Sequence, residues 1–216
     1  MSGAIKICGI RTAEAIAAAA SAGATHAGFV FYAASPRSIA PADAGAIAAR
    51  APGMRSVALT VDADDAMLQA ISAGLHPQMW QLHGAETPER VAAVRDMFRV
   101  PVMKAITIAG IEDVARAHAY ERVADWLLFD AKPDSLPGGN GLAFDWRLLA
   151  KEKWTKPWML SGGLTAANVA EAISTARARA VDVSSGVEKS RGDKDPALIE
   201  DFVAAARAAL AESPTA

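Results

Sequence analysis

Cys8 is the only cysteine of this chain, and it closes the run Ala4-Ile5-Lys6-Ile7-Cys8-Gly9. That run reads as a first β-strand entering a glycine turn, the place where parallel α/β proteins keep their chemistry. A thiol there is a nucleophile, a general base or an inert buried hydrophobe. As a base it must be partly thiolate, and an ordinary thiol with a pKa of about 8.5 needs help. Lys6 lies two positions earlier on the same strand face, and a helix start follows; both are expected to favour the thiolate. Asp130 ends a second apolar run, Trp126-Leu127-Leu128-Phe129. A carboxyl group in that setting is partly desolvated, which suits a general acid near neutrality; a loop cap is the alternative.

Further polar groups stand at the ends of other strand-like runs. Arg37, in Ser35-Pro36-Arg37, either forks onto a planar anion or is a solvated surface arginine. Gln81 and His83 share one strand face, as do Asp182 and Ser184, and each pair either lines a site or satisfies the core. Gly162-Gly163 and Ser184-Ser185-Gly186 follow the seventh and eighth strands. In a barrel these two loops commonly hold phosphate through backbone N–H groups; ordinary turns are the bland reading. The segment 131–141, with three glycines and two prolines, suits a lid over the mouth. The histidines His26, His76, His83 and His118 are scattered without ligand spacing, so no metal is expected.

Positioning these groups requires a regular scaffold. Strands are predicted over 5–8, 27–32, 56–61, 79–83, 102–106, 126–130, 158–160 and 181–184. Helices are predicted between them, over 12–22, 41–51, 63–73, 87–98, 111–120, 145–150, 166–176 and 196–210. Thr12, Thr87, Thr165 and Asp195 stand where N-caps belong, and Gly23 and Gly74 where helices end. Trp80, Trp126 and Trp158 are expected between strands and helices. Eight βα repeats demand a parallel sheet covered by helices, and their number favours a single-domain (β/α)8 TIM barrel over an open doubly wound sheet. The turn Cys8-Gly9-Ile10-Arg11 carries no dinucleotide fingerprint. One domain is expected over 1–211, with 212–216 as a loose tail. In a ring of eight, strands one and six lie three steps apart, which sets Cys8 and Asp130 across the mouth from each other.

Bulk properties restrict the partners. The chain has 216 residues, 52% of them apolar, and a formal net charge of −2. That balance supports a large core and no basic stripe, so nucleic acid is not expected. No apolar run approaches the ~18 residues of a membrane helix, and the N-terminus lacks a signal pattern. With a single cysteine, these features predict a cytoplasmic protein without a membrane partner.

Taken together, several motifs resemble the phosphoribosylanthranilate isomerase family of tryptophan biosynthesis. They are Lys6-Ile7-Cys8-Gly9-Ile10, Ser35-Pro36-Arg37-Ser38, Gln81-Leu82-His83-Gly84, Leu127-Leu128-Phe129-Asp130-Ala131-Lys132, Ser161-Gly162-Gly163-Leu164 and Val181-Asp182-Val183-Ser184-Ser185-Gly186-Val187-Glu188. Their order and spacing carry the likeness over residues 5 to about 205. The resemblance implies an Amadori rearrangement of N-(5-phosphoribosyl)anthranilate, a small-molecule substrate, without any cofactor. It implies Asp130 as general acid and Cys8 as general base. Arg37 would orient the anthranilate end, with Gln81, His83 and Asp182 also touching substrate. Gly162, Gly163, Ser184, Ser185 and Gly186 would hold the phosphate. A monomer or a homodimer fits the family. The alternatives are a non-catalytic phosphate-binding barrel and the histidine-pathway aminoaldose isomerase. The latter needs a second phosphate cradle after strands three and four, where Val61-Asp62-Ala63 is poor in glycine.

Overall fold

The computed structural model describes residues 3–131 and 146–212. Eight parallel strands close into a barrel in chain order: β1 Ala4–Cys8, β2 His26–Phe31, β3 Arg55–Thr60, β4 Met79–Leu82, β5 Val102–Ile108, β6 Trp126–Ala131, β7 Trp158–Ser161 and β8 Ala180–Val183. The helices between and after them are α1 Ala13–Ala22, α2 Pro41–Ala48, α3 Asp65–Leu75, α4 Pro88–Phe98, α5 Ile111–Ala117, α6 Arg147–Ala150, α7 Val169–Ala176 and α8 Pro196–Glu212. The expected (β/α)8 barrel is therefore the fold. The expected lid beyond Ala131, the predicted helix start at Asp145 and the tail from residue 213 lie outside the described residues.

Strand parity sorts the core into two parts. Ile5, Ile7, Phe29, Trp80, Leu82, Leu127, Phe129, Leu160 and Val181 face outward and are buried beneath the helices. Val57, Met79, Met103, Ala105, Leu128, Met159 and Ala180 form a separate cluster inside the barrel. A period of two explains the division, because alternate side chains point to opposite faces of the sheet. Parity also corrects one expectation. Trp126 packs with the inner cluster, and its ring meets His26 edge-on at 6.3 Å, so it plugs the barrel rather than lying under the helices. Trp80 does lie under the helices, against Phe98 at 4.7 Å.

Most helix ends follow local chemistry. Thr12 Oγ1 accepts from Ala15 N, Thr87 Oγ1 from Arg90 N, and Asp195 Oδ1 from Ala197 N. Gly23 ends α1 with φ +92°. Thr165 is not a side-chain cap. Its N–H donates to Asn168 Oδ1, and α7 begins three residues later than expected, at Val169. Gly74 is not a helix terminator either: α3 continues to Leu75, and His76 takes the left-handed position. A Cβ on Gly45 would stand 2.2 Å from Gly74 O, so the two glycines let α2 and α3 touch backbone to backbone.

An element absent from the expectations follows β8. A short turn of 3-10 helix over Ser185–Val187 leads into an antiparallel hairpin, β9 Glu188–Ser190 and β10 Asp193–Lys194, turned at Gly192 with φ +85°.

Inside the barrel, His26 is buried and its Nδ1 lies 2.7 Å from Thr25 Oγ1. Burial, reinforced by Arg55 and Lys6, lowers its pKa from 6.5 to about 4. Between those values the unfolded chain binds the proton and the folded chain resists it, so stability falls as pH drops. The urea midpoint is expected to fall from pH 7 to pH 4.5 more steeply in the native chain than in His26→Gln. Equal slopes would show that His26 does not carry this dependence.

Candidate active site

The inward-facing positions at the C-terminal ends of the strands converge on one cavity of about 270 Å³. Cys8, Arg37, Gln81, His83, Asp130, Asp182 and Ser184 all line it, with Tyr32 and Ser35 at its edge. Seven sequence-predicted site residues thus meet in one space. Val30, Leu59 and Val61 form its apolar wall and pack with Cys8. A larger groove of about 500 Å³ between Arg11, Asp43 and Arg50 lies outside this convergence and holds none of the predicted groups.

Cys8 is 4% exposed. Burial raises its thiol pKa above the ordinary value, and Lys6 and Lys194 only partly oppose that rise. The expected help from Lys6 is therefore real in direction but outweighed. Lys6 is itself committed, because its fully buried ammonium lies 2.8 Å from Asp182 Oδ1. Burial works against the ammonium, but Asp182 more than compensates and the lysine pKa rises. Asp182 also accepts from Ser161 Oγ at 3.2 Å. A Cβ on Gly28 would come within 3.0 Å of Lys6 Nζ and 3.1 Å of Cys8 Sγ, so a glycine on β2 makes room for both groups.

Asp130 keeps 30% of its side-chain exposure, and its Oδ2 lies 3.4 Å from His83 Nε2. His83 Nδ1 lies 3.2 Å from Gln81 Nε2. Gln81, His83 and Asp130 therefore form one polar chain over β4 and β6. Gln81 Oε1 is buried and has no partner among the described residues.

The glycine and serine loops lie beside the cavity, at the ends of β7 and β8. Gly162 and Gly163 have φ of +95° and +65°, a region that disfavours side chains. The position of a Cβ on Gly163 is open space. A Cβ on Gly186 would stand 1.9 Å from Leu164 O, so the two loops touch through this glycine. Ser184 Oγ donates to Cys8 O at 3.2 Å, and Ser185 opens the 3-10 turn.

Arg37 is not a free surface arginine. Its Nε and Nη2 donate to Glu188 Oε1 and Oε2 at 2.7 and 2.8 Å. Sequence reasoning does not single out Glu188 and Lys194 as site residues, because a short polar segment after the last strand carries no pattern that announces burial. Yet both side chains are almost inaccessible, and Lys194 Nζ reaches Glu188 Oε1 at 2.7 Å. Burial pushes the Glu188 carboxyl up, but the bonds from Arg37, Lys194 and Gly192 N more than offset it and hold the pKa at about 2.

The loops after β3 and β4 are occupied by carboxylates. Asp62, at φ +48°, accepts from Ala85 N at 2.7 Å, and Glu86 accepts from Asp62 N at 3.0 Å. A Cβ on Gly84 would meet Asp62 Oδ1 at 2.3 Å. The Asp62 and Ala85 amides in these loops are thus already bound to carboxylates. Among the described residues no group of three or more His, Cys, Asp or Glu side chains is arranged to hold a metal. No helix among them is long and apolar enough to cross a membrane.

The family model for N-(5'-phosphoribosyl)anthranilate (PRA) isomerase matches residues 5–205. The chain is 54% identical over 209 residues to N-(5'-phosphoribosyl)anthranilate isomerase of Rhodospirillum centenum, covering 94% of this chain and 98% of the relative. It is similar to the crystal structure of phosphoribosyl anthranilate isomerase from Thermotoga maritima, with TM-score 0.86, 34% identity and coverage of 96% and 100%. A further similar structure, with TM-score 0.83, 32% identity and the same coverage, is a phosphoribosyl anthranilate isomerase in complex with reduced 1-(o-carboxyphenylamino)-1-deoxyribulose 5-phosphate. Family match, relatives and barrel agree, and the chain belongs to the N-(5'-phosphoribosyl)anthranilate isomerase family.

Proposed function

We propose that this protein converts N-(5-phosphoribosyl)anthranilate into 1-(2-carboxyphenylamino)-1-deoxyribulose 5-phosphate, an acid–base Amadori rearrangement in the biosynthesis of L-tryptophan. The observation that carries the reading is the meeting of Cys8 and Asp130 in one cavity that also holds Arg37 and an apolar wall of Val30, Leu59 and Val61. Asp130 protonates the furanose ring oxygen, and the ring opens to a Schiff base. The Cys8 thiolate then takes the proton from C2′, and the resulting enolamine tautomerises to the ketone. Both steps are proton transfers, and neither changes the oxidation state of the protein.

The substrate has two anionic ends, and the loops suit both. Gly162, Gly163, Ser184, Ser185 and Gly186 hold the phosphate through backbone N–H groups and hydroxyls. Arg37 orients the anthranilate carboxylate, while Val30, Leu59 and Val61 offer the ring an apolar wall. Gln81, His83 and Asp182 complete the contacts to the sugar. Asp62 and Glu86 set this reading above the histidine-pathway isomerase, because they occupy the loops where a second phosphate would sit. The reading fits a monomer or a homodimer. We place the enzyme in the cytoplasm, where reducing conditions keep a lone thiol free.

Purified protein is expected to turn over phosphoribosylanthranilate with no added metal, and a chelator is expected to leave the rate unchanged. Cys8→Ala and Asp130→Asn are each expected to lower kcat by about 10²–10⁴-fold, with smaller effects on KM. Normal turnover by Cys8→Ala would remove the base assignment.

The raised thiol pKa makes a second expectation. Iodoacetamide labelling of Cys8 is expected to accelerate with pH, with a midpoint above that of an ordinary cysteine. Lys6→Met removes a cation that stabilises the thiolate and leaves Asp182 unpaired, so the midpoint should rise further. A lower or unchanged midpoint in Lys6→Met would show that Lys6 does not act on the thiol.

A further inference from the structure

Arg37, Glu188 and Lys194 form a trio, with Glu188 and Lys194 buried and Arg37 partly exposed, in which two cations share one carboxylate. Glu188 is fully occupied. Its Oε1 accepts from Arg37 Nε and Lys194 Nζ, each at 2.7 Å, and its Oε2 accepts from Arg37 Nη2 at 2.8 Å and Gly192 N at 3.1 Å. Lys194 spends its other bonds on Ser184, reaching the carbonyl oxygen at 2.9 Å and Oγ at 3.3 Å. Among the described residues no second carboxylate bonds to either cation. The trio therefore keeps one positive charge that the protein does not neutralise, in a setting where burial makes an unbalanced charge costly.

Arg37 is also fixed in position. A Cβ on Gly9 would meet Arg37 Cδ at 2.6 Å, so the aliphatic stem of Arg37 lies directly on the turn after Cys8. A Cβ on Gly192 would stand 2.7 Å from Pro36 O, so the β9–β10 hairpin rests on the loop that carries Arg37. With Nε and one Nη2 hydrogen engaged by Glu188, both hydrogens of Nη1 remain for another acceptor. Arg37 lines the cavity, with 21% of its side chain exposed.

We propose that Glu188 and Lys194 are positioning residues that make the Arg37 end of the cavity selective for a ligand bearing an aromatic carboxylate. Glu188 aims the guanidinium, and Lys194 supplies the second cation that leaves the trio one anion short. The inference rests on the substrate assignment above and extends it to two residues of the hairpin. The hairpin thereby acquires a role, since it delivers a counter-ion that neither β2 nor β8 supplies.

The test compares two stable ligands by calorimetry. One is reduced 1-(2-carboxyphenylamino)-1-deoxyribulose 5-phosphate, and the other is the phenylamino compound that lacks the carboxylate. Glu188→Gln keeps the size but lacks the charge and the two-oxygen fork. It is expected to weaken the carboxylated ligand about tenfold or more and the carboxylate-free ligand less than twofold. Lys194→Met should show the same contrast, and Glu188→Asp should recover part of the loss. In the rearrangement itself, Glu188→Gln should raise KM well beyond its effect on kcat. Equal weakening of both ligands, or tighter binding of the carboxylated one, overturns the proposal and leaves the trio a structural clasp. Should Glu188→Gln fail to fold, the contrast in Lys194→Met decides. A wild-type protein that binds the carboxylated ligand but does not turn over substrate would instead overturn the functional reading alone.

Discussion

The ion pair between Lys6 and Asp182 is the interaction on which the site depends. The two residues are register partners across β1 and β8, where the barrel closes. Their neighbour β7 meets β8 through a single backbone register pair, Leu160 with Val181, so that side of the closure has little ladder to hold it. Asp182 compensates by bonding Lys6 on β1 and Ser161 on β7 at once. Breaking such a pair from one side typically costs about 3–5 kcal/mol, because the remaining charge stays buried. The same pair forms the floor beneath Cys8, so closure of the barrel and environment of the thiol are set by one contact.

Charge is distributed unevenly around the mouth. Loops three and four turn carboxylates onto each other's amides, through Asp62 and Glu86. Loops two and eight gather Arg37 and Lys194 around Glu188. Loops seven and eight present glycine backbone. An elongated ligand with two anionic ends is drawn towards loops two, seven and eight and repelled from the carboxylates of loops three and four. Fixed dipoles and ions of this kind need little reorganisation when the ligand arrives.

Much of this is legible in the sequence, and the reason is periodicity. Apolar runs ending in a polar residue, repeated eight times, point to the barrel, and the period of two points to the inward positions 8, 81, 83, 130, 182 and 184. The failures share a cause as well. Trp126 obeys the same parity as Leu128 and Asp130, but its bulk suggests a place under the helices. Gly74 looks like a helix end, because a glycine that permits close helix contact and one that ends a helix read alike along the chain. The hairpin at Glu188 to Lys194 has no apolar alternation, and the burial of its Glu188 and Lys194 side chains depends on a distant loop that carries Arg37. Long-range pairing of charges leaves no local trace, which is why Lys6 reads as a partner of Cys8 while its closest bond is to Asp182.

The raised pKa of Cys8 bears directly on the role of base proposed for it. Burial reduces the fraction of thiolate at neutral pH, yet a thiolate formed in that site holds a proton more strongly. The proton at C2′ of the Schiff base is weakly acidic, so a stronger base lowers the barrier to its removal while the smaller population raises it. Lys6 and Lys194 moderate the balance, because both favour the thiolate without being hydrogen-bonded away from their own carboxylates. With each lysine paired to an acid, the thiol keeps a raised pKa while both cations still favour its thiolate.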